Sequence, residues 1–302
     1  MNSTTIADRR GRIAAVGTFD GVHLGHRSVL GMLTAKAHEN NLEPIAVTFR
    51  RHPLELISPQ RAPLSLTPLW KKLKLLEEAG VKPLVLDFDE HLRATTAEAW
   101  MKRLHEEFGV NALVVGFDNT FGSDGVNLSI DDYRRIGKEI GIEVFTGEEI
   151  PGVSSSAIRK AVKEGEVEKA RDMLGRPYSI TAKVVEGNKL GHILGFPTAN
   201  LDIPEGIAVP RSGVYAAIVK TLSDGRKYPA MVNIGVRPTV MRGSRPVIES
   251  HIFDWDGDLY GKDITVRFIK RLRDEEKFDS IDALKRQLSA DKTAALKALG
   301  AD

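Results

Sequence analysis

The sequence predicts an α/β protein of two domains, an N-terminal doubly wound parallel sheet of the Rossmann-like kind and a C-terminal small antiparallel β-barrel with a closing helix. Up to about residue 150, short apolar runs alternate with amphipathic helical stretches, which is typical of a parallel sheet covered by helices. From Tyr178 onward, strand patterns follow one another with turn residues between them. The length of 302 residues exceeds that of most single domains. We therefore predict one domain over residues 1–178 and another over residues 179–302.

The strands predicted for the N-terminal domain are short apolar runs, as expected where helices cover both faces of a sheet. They lie at 13–16, 45–48, 84–88, 113–116 and 143–146. In such a sheet, ligands bind beyond the carboxyl ends of the strands, where the connecting loops lie. The loop after the first strand is therefore the first candidate for a functional site.

The C-terminal domain is predicted from strands that are separated by turn residues. These strands lie at 180–185, 214–222, 228–234, 251–255 and 264–269. Ser154-Ser155-Ser156 is expected to cap a helix that precedes them. Ser280 is expected to begin a last helix whose Ile281, Leu284 and Leu288 have helical spacing and seal the barrel.

Composition and charge narrow the function classes. Lys and Arg number 43 against 41 Asp and Glu, and no long block of one sign occurs, so we predict no nucleic-acid partner. The sequence contains no cysteine, which excludes disulfides, thiolate metal sites and a cysteine nucleophile. No export segment and no apolar run of about 20 residues appears. We therefore expect a cytoplasmic protein without a membrane partner.

The loop after the first strand is rich in glycine and carries two histidines. It reads Gly17-Thr18-Phe19-Asp20-Gly21-Val22-His23-Leu24-Gly25-His26 and leads directly into a helix. Glycines let the backbone approach a phosphate closely, and a helix N-terminus offers free N–H groups. His23 and His26 can donate ring hydrogens to triphosphate oxygens during nucleotidyl transfer. The spacing disfavours a zinc site, and a glycine-rich connection with two surface histidines is the alternative.

This loop resembles the signature of the nucleotidylyltransferase superfamily, and its longer form is similar to the FMN adenylyltransferase half of bacterial riboflavin kinase/FAD synthetases. The resemblance implies that the loop binds ATP through Gly17, Phe19, Asp20, Gly21 and Gly25. The segment Ser154-Ser155-Ser156-Ala157-Ile158-Arg159 resembles the Ser-Ser-Thr-x-Ile-Arg segment of that family. It implies that Arg159, with Ser155 and Ser156, holds the ATP phosphates, whereas taken alone Arg159 is an ordinary solvated helix residue.

Two segments depart from the pattern of that family. Residues 48–53 read Thr-Phe-Arg-Arg-His-Pro, so Arg51 stands where the family carries a proline. In residues 116–125, Asp118 is kept and is an expected binding residue, whereas Asn119 replaces a phenylalanine and a basic residue is missing. One alternative is therefore a working riboflavin kinase joined to an impaired adenylyltransferase.

The second candidate site lies in residues 187–200 of the β-rich half. No Gly-x-x-x-x-Gly-Lys-Ser/Thr motif occurs in the sequence, so a kinase would need another phosphate-binding loop. This run combines spaced glycines with the hydroxyl of Thr198 and the amide of Asn200. Their oxygens are hard ligands that suit Mg²⁺. Glycines alone are weak evidence, and a β-rich turn is the alternative.

Residues 187–200 resemble part of riboflavin kinase. The resemblance extends over residues 153–291 and includes further segments at 233–239, 249–251, 258–261 and 272–278. The resemblance implies that Glu249 is the catalytic base and that Thr198 and Asn200 bind ATP with Mg²⁺. Without this context, Glu249 is an ordinary solvated strand carboxylate. The remaining residues that it implies for binding are Gly187, Lys189, Gly191, Gly195, Pro197, Asn233 and Arg273.

The chemistry of riboflavin phosphorylation and of FMN adenylylation agrees with assigning the first reaction to the C-terminal part of the chain and the second to the N-terminal part. The ribityl hydroxyl of riboflavin is a very weak acid, so a carboxylate must accept its proton. The phosphate of FMN has a second pKa of about 6 and needs no base before it attacks ATP. We therefore predict an enzyme that converts riboflavin and ATP to FMN and ADP, and FMN and ATP to FAD and pyrophosphate, with Mg²⁺ as cofactor.

Two other interpretations stay open at this stage. One is a flavin- or nucleotide-binding regulator without turnover, and the other is a nucleotidylyltransferase for another phosphate monoester. The sequence leaves the oligomeric state open. Tyr215, Phe253 and Trp255 are expected to pack the barrel rather than to contact flavin.

Overall fold

The computed structural model describes residues 11–116, 120–187, 191, 194–222, 225–237 and 245–300, with backbone alone at 236, 237 and 245. The predicted binding residues Asp118 and Lys189 lie outside the described residues, as does Asn119. The chain divides into two compact units. Unit 1 consists of Met1–Pro63 and Thr67–Val153, and unit 2 consists of Leu64–Leu66 and Ser154–Asp302. The predicted domain boundary between residues 178 and 179 stays a prediction.

Unit 1 contains a parallel five-stranded sheet. Its strands are β1 (Arg12–Val16), β2 (Glu43–Phe49), β3 (Lys82–Leu86), β4 (Val110–Val115) and β5 (Glu143–Thr146). The order is β3-β2-β1-β4-β5, and every neighbouring pair is parallel. The strand order reverses between β1 and β4, and the carboxyl ends at such a point are where ligands bind in open α/β sheets.

Helices cover both faces of this sheet, as predicted for a doubly wound fold. They are α1 (Leu24–Glu39), α2 (Leu54–Ile57), α3 (Leu69–Glu78), α4 (Glu90–Ala94), α5 (Ala97–Phe108) and α6 (Ile130–Ile140), with 3-10 turns at Pro59–Arg61 and Gly125–Asn127. Successive residues of β1 alternate between two cores because a strand points its side chains to opposite faces. Ile13 packs with the α1 and α3 residues Leu33 and Leu76, whereas Ala14 packs with Trp100 and Tyr133 of α5 and α6.

Unit 2 contains a closed antiparallel barrel. Its strands are β6 (Ser179–Val185), β7 (Ala199–Asp202), β8 (Gly213–Thr221), β9 (Lys227–Arg237), β10 (Arg245–Ile252) and β11 (Asp263–Arg273), in the order β10-β7-β6-β11-β8-β9. The helices α7 (Ser155–Glu164) and α8 (Val167–Leu174) precede the barrel, and α9 (Ile281–Leu299) follows it. The short segment Leu64–Leu66 joins this unit, since the Ser65 amide donates to the Gly206 carbonyl at 2.7 Å.

Two details differ from the sequence-based expectation. The strand predicted at 251–255 is wrong, because β10 ends at Ile252 and Asp254 turns the chain with a φ of 53°. The expectation that Ile281 helps to seal the barrel is also wrong, because its side chain in the first turn of α9 is 63% exposed. Leu288 does pack on the buried side chains of Met231 and Phe253.

The helix caps follow the predictions, as does the packing of Tyr215 and Phe253, whereas Trp255 is half-buried and lines a cavity. Ser154 caps α7 and Ser280 caps α9, each accepting a hydrogen bond from the backbone N–H three residues on. Tyr215 and Phe253 are fully buried. No helix in the described part of the chain combines the length and apolar character that a membrane span requires.

Candidate active sites

The histidine loop connects β1 to α1 at the carboxyl end of the central strand. Phe19 and Val22 adopt the unusual positive φ values of 48° and 38°, and both side chains are buried. Gly21 has a φ of 82°, which glycine adopts without a steric penalty. Strained positions of this kind persist only where the surrounding packing fixes them, and they cluster at functional sites.

Asp20 fixes this loop to the segment that precedes α3. The Thr67 amide and hydroxyl both donate to Asp20 Oδ1, at 3.1 and 3.2 Å, and the Gly21 amide donates to Thr67 Oγ1 at 3.2 Å. Asp20 is 6% exposed. The carboxylate that the sequence suggested as a binding residue therefore holds the loop in shape.

His23 and His26 lie together at the N-terminus of α1. Their rings stack at 3.7 Å between centroids, and the His26 ring also packs edge-on against Phe19 at 5.2 Å. His23 caps the helix, with its Nδ1 accepting the His26 N–H at 3.3 Å. Because Nδ1 is the acceptor, the neutral ring carries its proton on Nε2.

Gly25 leaves room for the His23 ring. A Cβ atom on Gly25 would lie 3.2 Å from His23 Cε1 and Nδ1, and 3.6 Å from the Val153 carbonyl oxygen. The spacing His-x-Gly-His thus permits the stacked pair. Together with the N-terminus of α1, this arrangement has the donors that suit an anion, and the binding of a phosphate here stays a prediction.

Lys72 is a residue of this region that the sequence analysis missed. Its ammonium group is buried and donates to the Thr18 carbonyl, the Thr48 hydroxyl and the Phe49 carbonyl at 2.9 to 3.0 Å. Burial lowers the pKa of Lys72 to about 8, although the negative charge of Asp20 opposes this shift. Lys72 therefore ties the end of β2 to the start of the histidine loop. Its helical position gave no signal, because α3 carries three lysines and nothing in the sequence distinguishes Lys72 from the other two.

A cavity of about 780 Å³ opens beside this loop within unit 1. It is lined by the ends of β1 and β2 at Val16 and Phe49, and by the aromatic side chains of Phe88, Trp100 and Phe121. Polar side chains, among them Glu90 and Arg93, also line this cavity, so its wall is mixed in character.

The serine-arginine segment begins α7 and belongs to unit 2. Ser154 is the N-cap, so Ser155 and Ser156 occupy the first helical turn. The Arg159 Nε donates to the Leu64 carbonyl at 2.8 Å within this unit. The joint action of Ser155, Ser156 and Arg159 with the histidines stays a prediction.

In unit 2, strand register brings three predicted residues together. Glu249 of β10 lies directly opposite Asn200 of β7 on one side and Asn233 of β9 on the other. Directly opposite residues of neighbouring strands point to the same face. A carboxylate therefore lies between two amides, although the three residues are far apart in the sequence.

In the glycine-rich segment before β7, neighbouring atoms lie where a side chain would have its Cβ. A Cβ on Gly187 would lie 2.0 Å from Asn200 Nδ2, and one on Gly191 would lie 2.3 Å from the Phe196 carbonyl oxygen. Gly195 has a φ of 84°. These three glycines are thus required by the backbone and by the position of Asn200.

His251 is a second residue that the sequence analysis left without a role. Its Nδ1 lies 2.8 Å from the Pro197 carbonyl oxygen, so this nitrogen carries the proton and donates it. Burial lowers the pKa of His251, and the bond to Pro197 partly opposes this effect. The neutral ring fixes Pro197, the residue before Thr198.

Thr198 lines a cavity of about 540 Å³ in unit 2, together with Pro197 and Ser250. Successive residues of β10 point to opposite faces, so this cavity lies on the Ser250 side of the strand and Glu249 lies on the other. Asn200 Oδ1 and Ser250 Oγ are buried, and within the described residues neither has a hydrogen-bond partner.

Arg273, a predicted binding residue, makes a bidentate ion pair with Asp291 of α9. The distances are 2.9 Å from Nε and 2.6 Å from Nη2, and the Asp291 side chain is 4% exposed. The hydrogen bond to Asp291 raises the pKa of Arg273. In this structure Arg273 therefore joins β11 to α9, and its contact with a ligand stays a prediction.

Comparisons with known proteins match both halves of the chain. The FAD synthetase family matches residues 5–158 and the riboflavin kinase family matches residues 174–299. Similar proteins named bifunctional riboflavin kinase/FMN adenylyltransferase include those of the following three bacteria. That of Pseudomonas fluorescens is 37% identical over 97% of this chain and 94% of its own length. That of Escherichia coli is 36% identical over 99% and 96%, and that of Bacillus subtilis is 36% identical over 94% and 92%.

One solved structure is similar along nearly the whole chain. It is described as a macrolide-efflux protein from Streptococcus pneumoniae, and it is 30% identical with a TM-score of 0.87. The match covers 95% of this chain and 94% of that one.

Proposed function

The chain belongs to the family of bifunctional riboflavin kinase/FMN adenylyltransferases, and from this premise we propose how its own residues perform the two reactions. The enzyme phosphorylates riboflavin to FMN with release of ADP, and it adenylylates FMN to FAD with release of pyrophosphate. ATP is the second substrate of both reactions. We place the enzyme in the cytoplasm, in line with a sequence that lacks cysteine.

In the adenylyl step, a phosphate oxygen of FMN attacks the α-phosphorus of ATP, and the bond to the departing pyrophosphate breaks. His23 donates its Nε2 hydrogen to the phosphate oxygens, on which negative charge accumulates. The His26 N–H donates a hydrogen bond to His23 Nδ1, and this bond fixes the tautomer that carries its hydrogen on Nε2. His26, stacked on His23, and the free N–H groups of α1 add further donors at the same place.

The aromatic cavity of unit 1 suits the flavin ring of FMN. Its volume of about 780 Å³ exceeds the size of one fused-ring system, and the half-buried Phe88 and Phe121 line its wall, where such a ring would pack. The cavity begins at Gly17, the first residue of the histidine loop. An FMN bound there would present its phosphate toward that loop.

In the kinase step, the terminal ribityl oxygen attacks the γ-phosphorus of ATP, the bond to ADP breaks, and Glu249 accepts the hydroxyl proton. The observation that carries this assignment is the strand register that sets Glu249 between Asn200 and Asn233. Asn200 points to the side of Glu249, and Thr198, two residues before it in the chain, lines the cavity of about 540 Å³. ATP phosphates held at Thr198 and Asn200 would then meet the ribityl hydroxyl near Glu249.

Mg²⁺ is the divalent ion that these residues fit. Thr198 and Asn200 supply a hydroxyl and an amide oxygen, which are hard ligands, and Asn200 Oδ1 is buried without a partner within the described chain. The ion would be held by these two oxygens together with the ATP phosphates. When bound, it supplies positive charge that neutralises the transferring phosphoryl group.

The test is a chromatographic time course of FMN and FAD formed from riboflavin, ATP and Mg²⁺. Glu249→Gln should lower FMN formation by about 10² to 10⁴, the usual contribution of a general base, and should leave FAD formation from supplied FMN unchanged. Glu168→Gln, an exposed position on α8, is the matched control. FMN formation at the wild-type rate in Glu249→Gln would contradict the assignment of the base. A wild-type protein that stops at FMN would instead favour a kinase with an impaired adenylyltransferase.

A further inference from the structure

A buried lysine in unit 1 has no part in the mechanism above. Lys72 lies on α3 and is 8% exposed. Its ammonium group donates to the Thr18 carbonyl, the Thr48 hydroxyl and the Phe49 carbonyl at 2.9 to 3.0 Å. An ammonium group has three hydrogens, and these three acceptors take them all. Any effect of Lys72 on a reaction must therefore pass through the residues that it binds.

The acceptors of this ammonium group are uncharged. A buried charge among neutral acceptors is less favourable than a neutral side chain would be. The neutral amides of Asn and Gln, however, offer two hydrogens at most. The position therefore needs three donors at one point, and lysine supplies them.

The Thr18 carbonyl is the acceptor that connects Lys72 with the histidine loop. It accepts from Lys72 at 3.0 Å and from the Thr48 hydroxyl at 3.1 Å. The next residue, Phe19, is buried with a φ of 48°, and its ring packs edge-on against His26 at 5.2 Å. A conformation of this kind persists only where surrounding contacts fix it. The two hydrogen bonds to the preceding carbonyl are contacts of this kind.

A second contact holds the loop on the other side of Phe19. The Thr67 amide and hydroxyl both donate to Asp20 Oδ1, and Thr67 lies five residues before Lys72. Polar groups from one short segment of the chain thus bind the loop both before and after its strained residue.

We propose that Lys72 is a positioning residue of adenylyl transfer, which holds the Thr18 carbonyl and thereby fixes the loop that carries His23 and His26. This role rests on the adenylyl step proposed above. Without the ammonium group, the Thr18 carbonyl is released, Phe19 relaxes, and the histidine rings shift away from the phosphate oxygens. Such shifts slow a reaction because donors must meet the charge that develops in the transition state.

The first experiment compares Lys72→Met with wild type in both reactions of the intact chain. The kcat of FAD formation should fall about tenfold to a hundredfold, and the KM values for ATP and FMN should change less than kcat. FMN formation should proceed at the wild-type rate, because unit 2 contains none of these residues. Lys74→Met, at an exposed position of α3, is the matched control. A wild-type kcat in Lys72→Met, or a loss confined to KM, would overturn the proposal.

A chemical rescue separates the ammonium group from general effects on packing. The chain contains no cysteine, so Lys72→Cys would carry a single thiol. Alkylation of the unfolded variant with 2-bromoethylamine, followed by refolding, restores an ammonium group at the end of a side chain as long as lysine. Alkylation with 1-bromopropane gives an uncharged side chain of the same length. The aminoethyl protein should form FAD about tenfold faster than the propyl protein, and equal rates would contradict the role of the ammonium group.

Thr48 offers a test that leaves Lys72 in place. Thr48→Val keeps the shape of the side chain but removes its hydroxyl, so the kcat of FAD formation should fall about threefold to tenfold. Thr48→Ser, which keeps the hydroxyl, should remain close to wild type. Because both residues act on the Thr18 carbonyl, Lys72→Met combined with Thr48→Val should be about as slow as Lys72→Met alone. Losses that multiply would show that the two residues act independently and would contradict the shared role.

The two levels of the proposal can fail separately. A wild-type protein that forms no FAD from FMN and ATP would contradict the adenylyl step and the role of Lys72 together. Normal FAD formation by wild type and by Lys72→Met would contradict the role of Lys72 alone.

Discussion

The two units assemble their candidate sites in different ways. In unit 1, His23 and His26 come from a single loop, and local contacts define their geometry: a helix cap, a ring stack and a glycine between them. In unit 2, Asn200, Asn233 and Glu249 come from three strands and meet through register. A site made by one loop can be recognised in a sequence, whereas a site made by register depends on the whole barrel.

The buried polar groups of the two units differ as well. In unit 1, Asp20 is bonded to Thr67, and Lys72 donates to three acceptors. In unit 2, Asn200 Oδ1 and Ser250 Oγ have no hydrogen-bond partner within the described residues. Asp20 and Lys72 thus shape a loop of unit 1 before substrate arrives, whereas Asn200 Oδ1 is the atom of unit 2 that we propose for Mg²⁺.

The largest predicted effect is a loss of FAD formation when His23 is replaced. It tests whether local contacts build the site of unit 1. His23→Ala should lower the kcat of FAD formation by about 10² to 10³, the usual loss for one donor to a developing charge, while FMN formation persists. His23→Asn keeps a side-chain oxygen that can cap α1 but removes the ring Nε2, so it should be nearly as slow. If His23→Asn were active and His23→Ala were not, capping rather than donation would be the role of His23. His38→Ala, at an exposed position in the last turn of α1, is the control.

A somewhat smaller effect, on FMN formation, is expected for a change in unit 2. It tests whether strand register positions the residues of that site. Gly187→Ala would bring a Cβ within 2.0 Å of Asn200 Nδ2, so Asn200 must move. Displacing a positioning group by this much lowers rates by about a hundredfold, and the measurement is the kcat of FMN formation. FAD formation should be unaffected. Gly31→Ala, where no atom lies within 4 Å of the added Cβ, is the control, and a wild-type kinase rate in Gly187→Ala would show that the position of Asn200 does not matter.

The smallest effect concerns the pH dependence of stability in unit 1. Lys72 loses its proton at about pH 8 when folded but near pH 10.4 when unfolded. Between these values the unfolded state binds more protons, so the Lys72 contribution to the free energy of unfolding increases with pH, by about 3 kcal/mol at most. The difference in this free energy between wild type and Lys72→Met should therefore grow from pH 8 to pH 10 in urea titrations.

The same titrations contain their own control. Lys74→Met changes an exposed lysine of α3, and its difference from wild type should not vary with pH in this way. Lys72→Met should also be less stable than wild type at pH 7, because two backbone carbonyls lose a buried donor. A constant difference between wild type and Lys72→Met from pH 8 to pH 10 would contradict the lowered pKa.

Much of the fold could be predicted because its signals are local. The alternation of apolar runs and amphipathic helices specified the parallel sheet, and Ser154 and Ser280 marked two helix starts. The strand predicted at 251–255 failed because the turn at Asp254 depends on a backbone conformation that the pattern of apolar residues does not encode. The short strand β7 was missed, since four residues next to a glycine run carry too little periodicity.

The candidate sites were predicted unevenly for the same reason. His23, His26 and the glycines between them carry their chemistry in adjacent positions, so spacing alone pointed to phosphate handling. Glu249 was singled out only through the resemblance to riboflavin kinase, because a strand carboxylate has no local mark of function. Lys72, His251 and Ser250 received no role, since lysine, histidine and serine are common and their burial is invisible in a sequence.

By itself, the sequence determined the alternation of strands and helices in unit 1, the glycine-histidine loop and the pairing of two flavin activities on one chain, because each depends on residues that are neighbours along the chain. Tertiary structure alone decided that Glu249 lies between Asn200 and Asn233, that Lys72 ties β2 to the histidine loop, and that Ser250 is buried beside a cavity. These features join residues that are distant in sequence. Their contacts and their desolvation exist only once strands have paired and the core has closed.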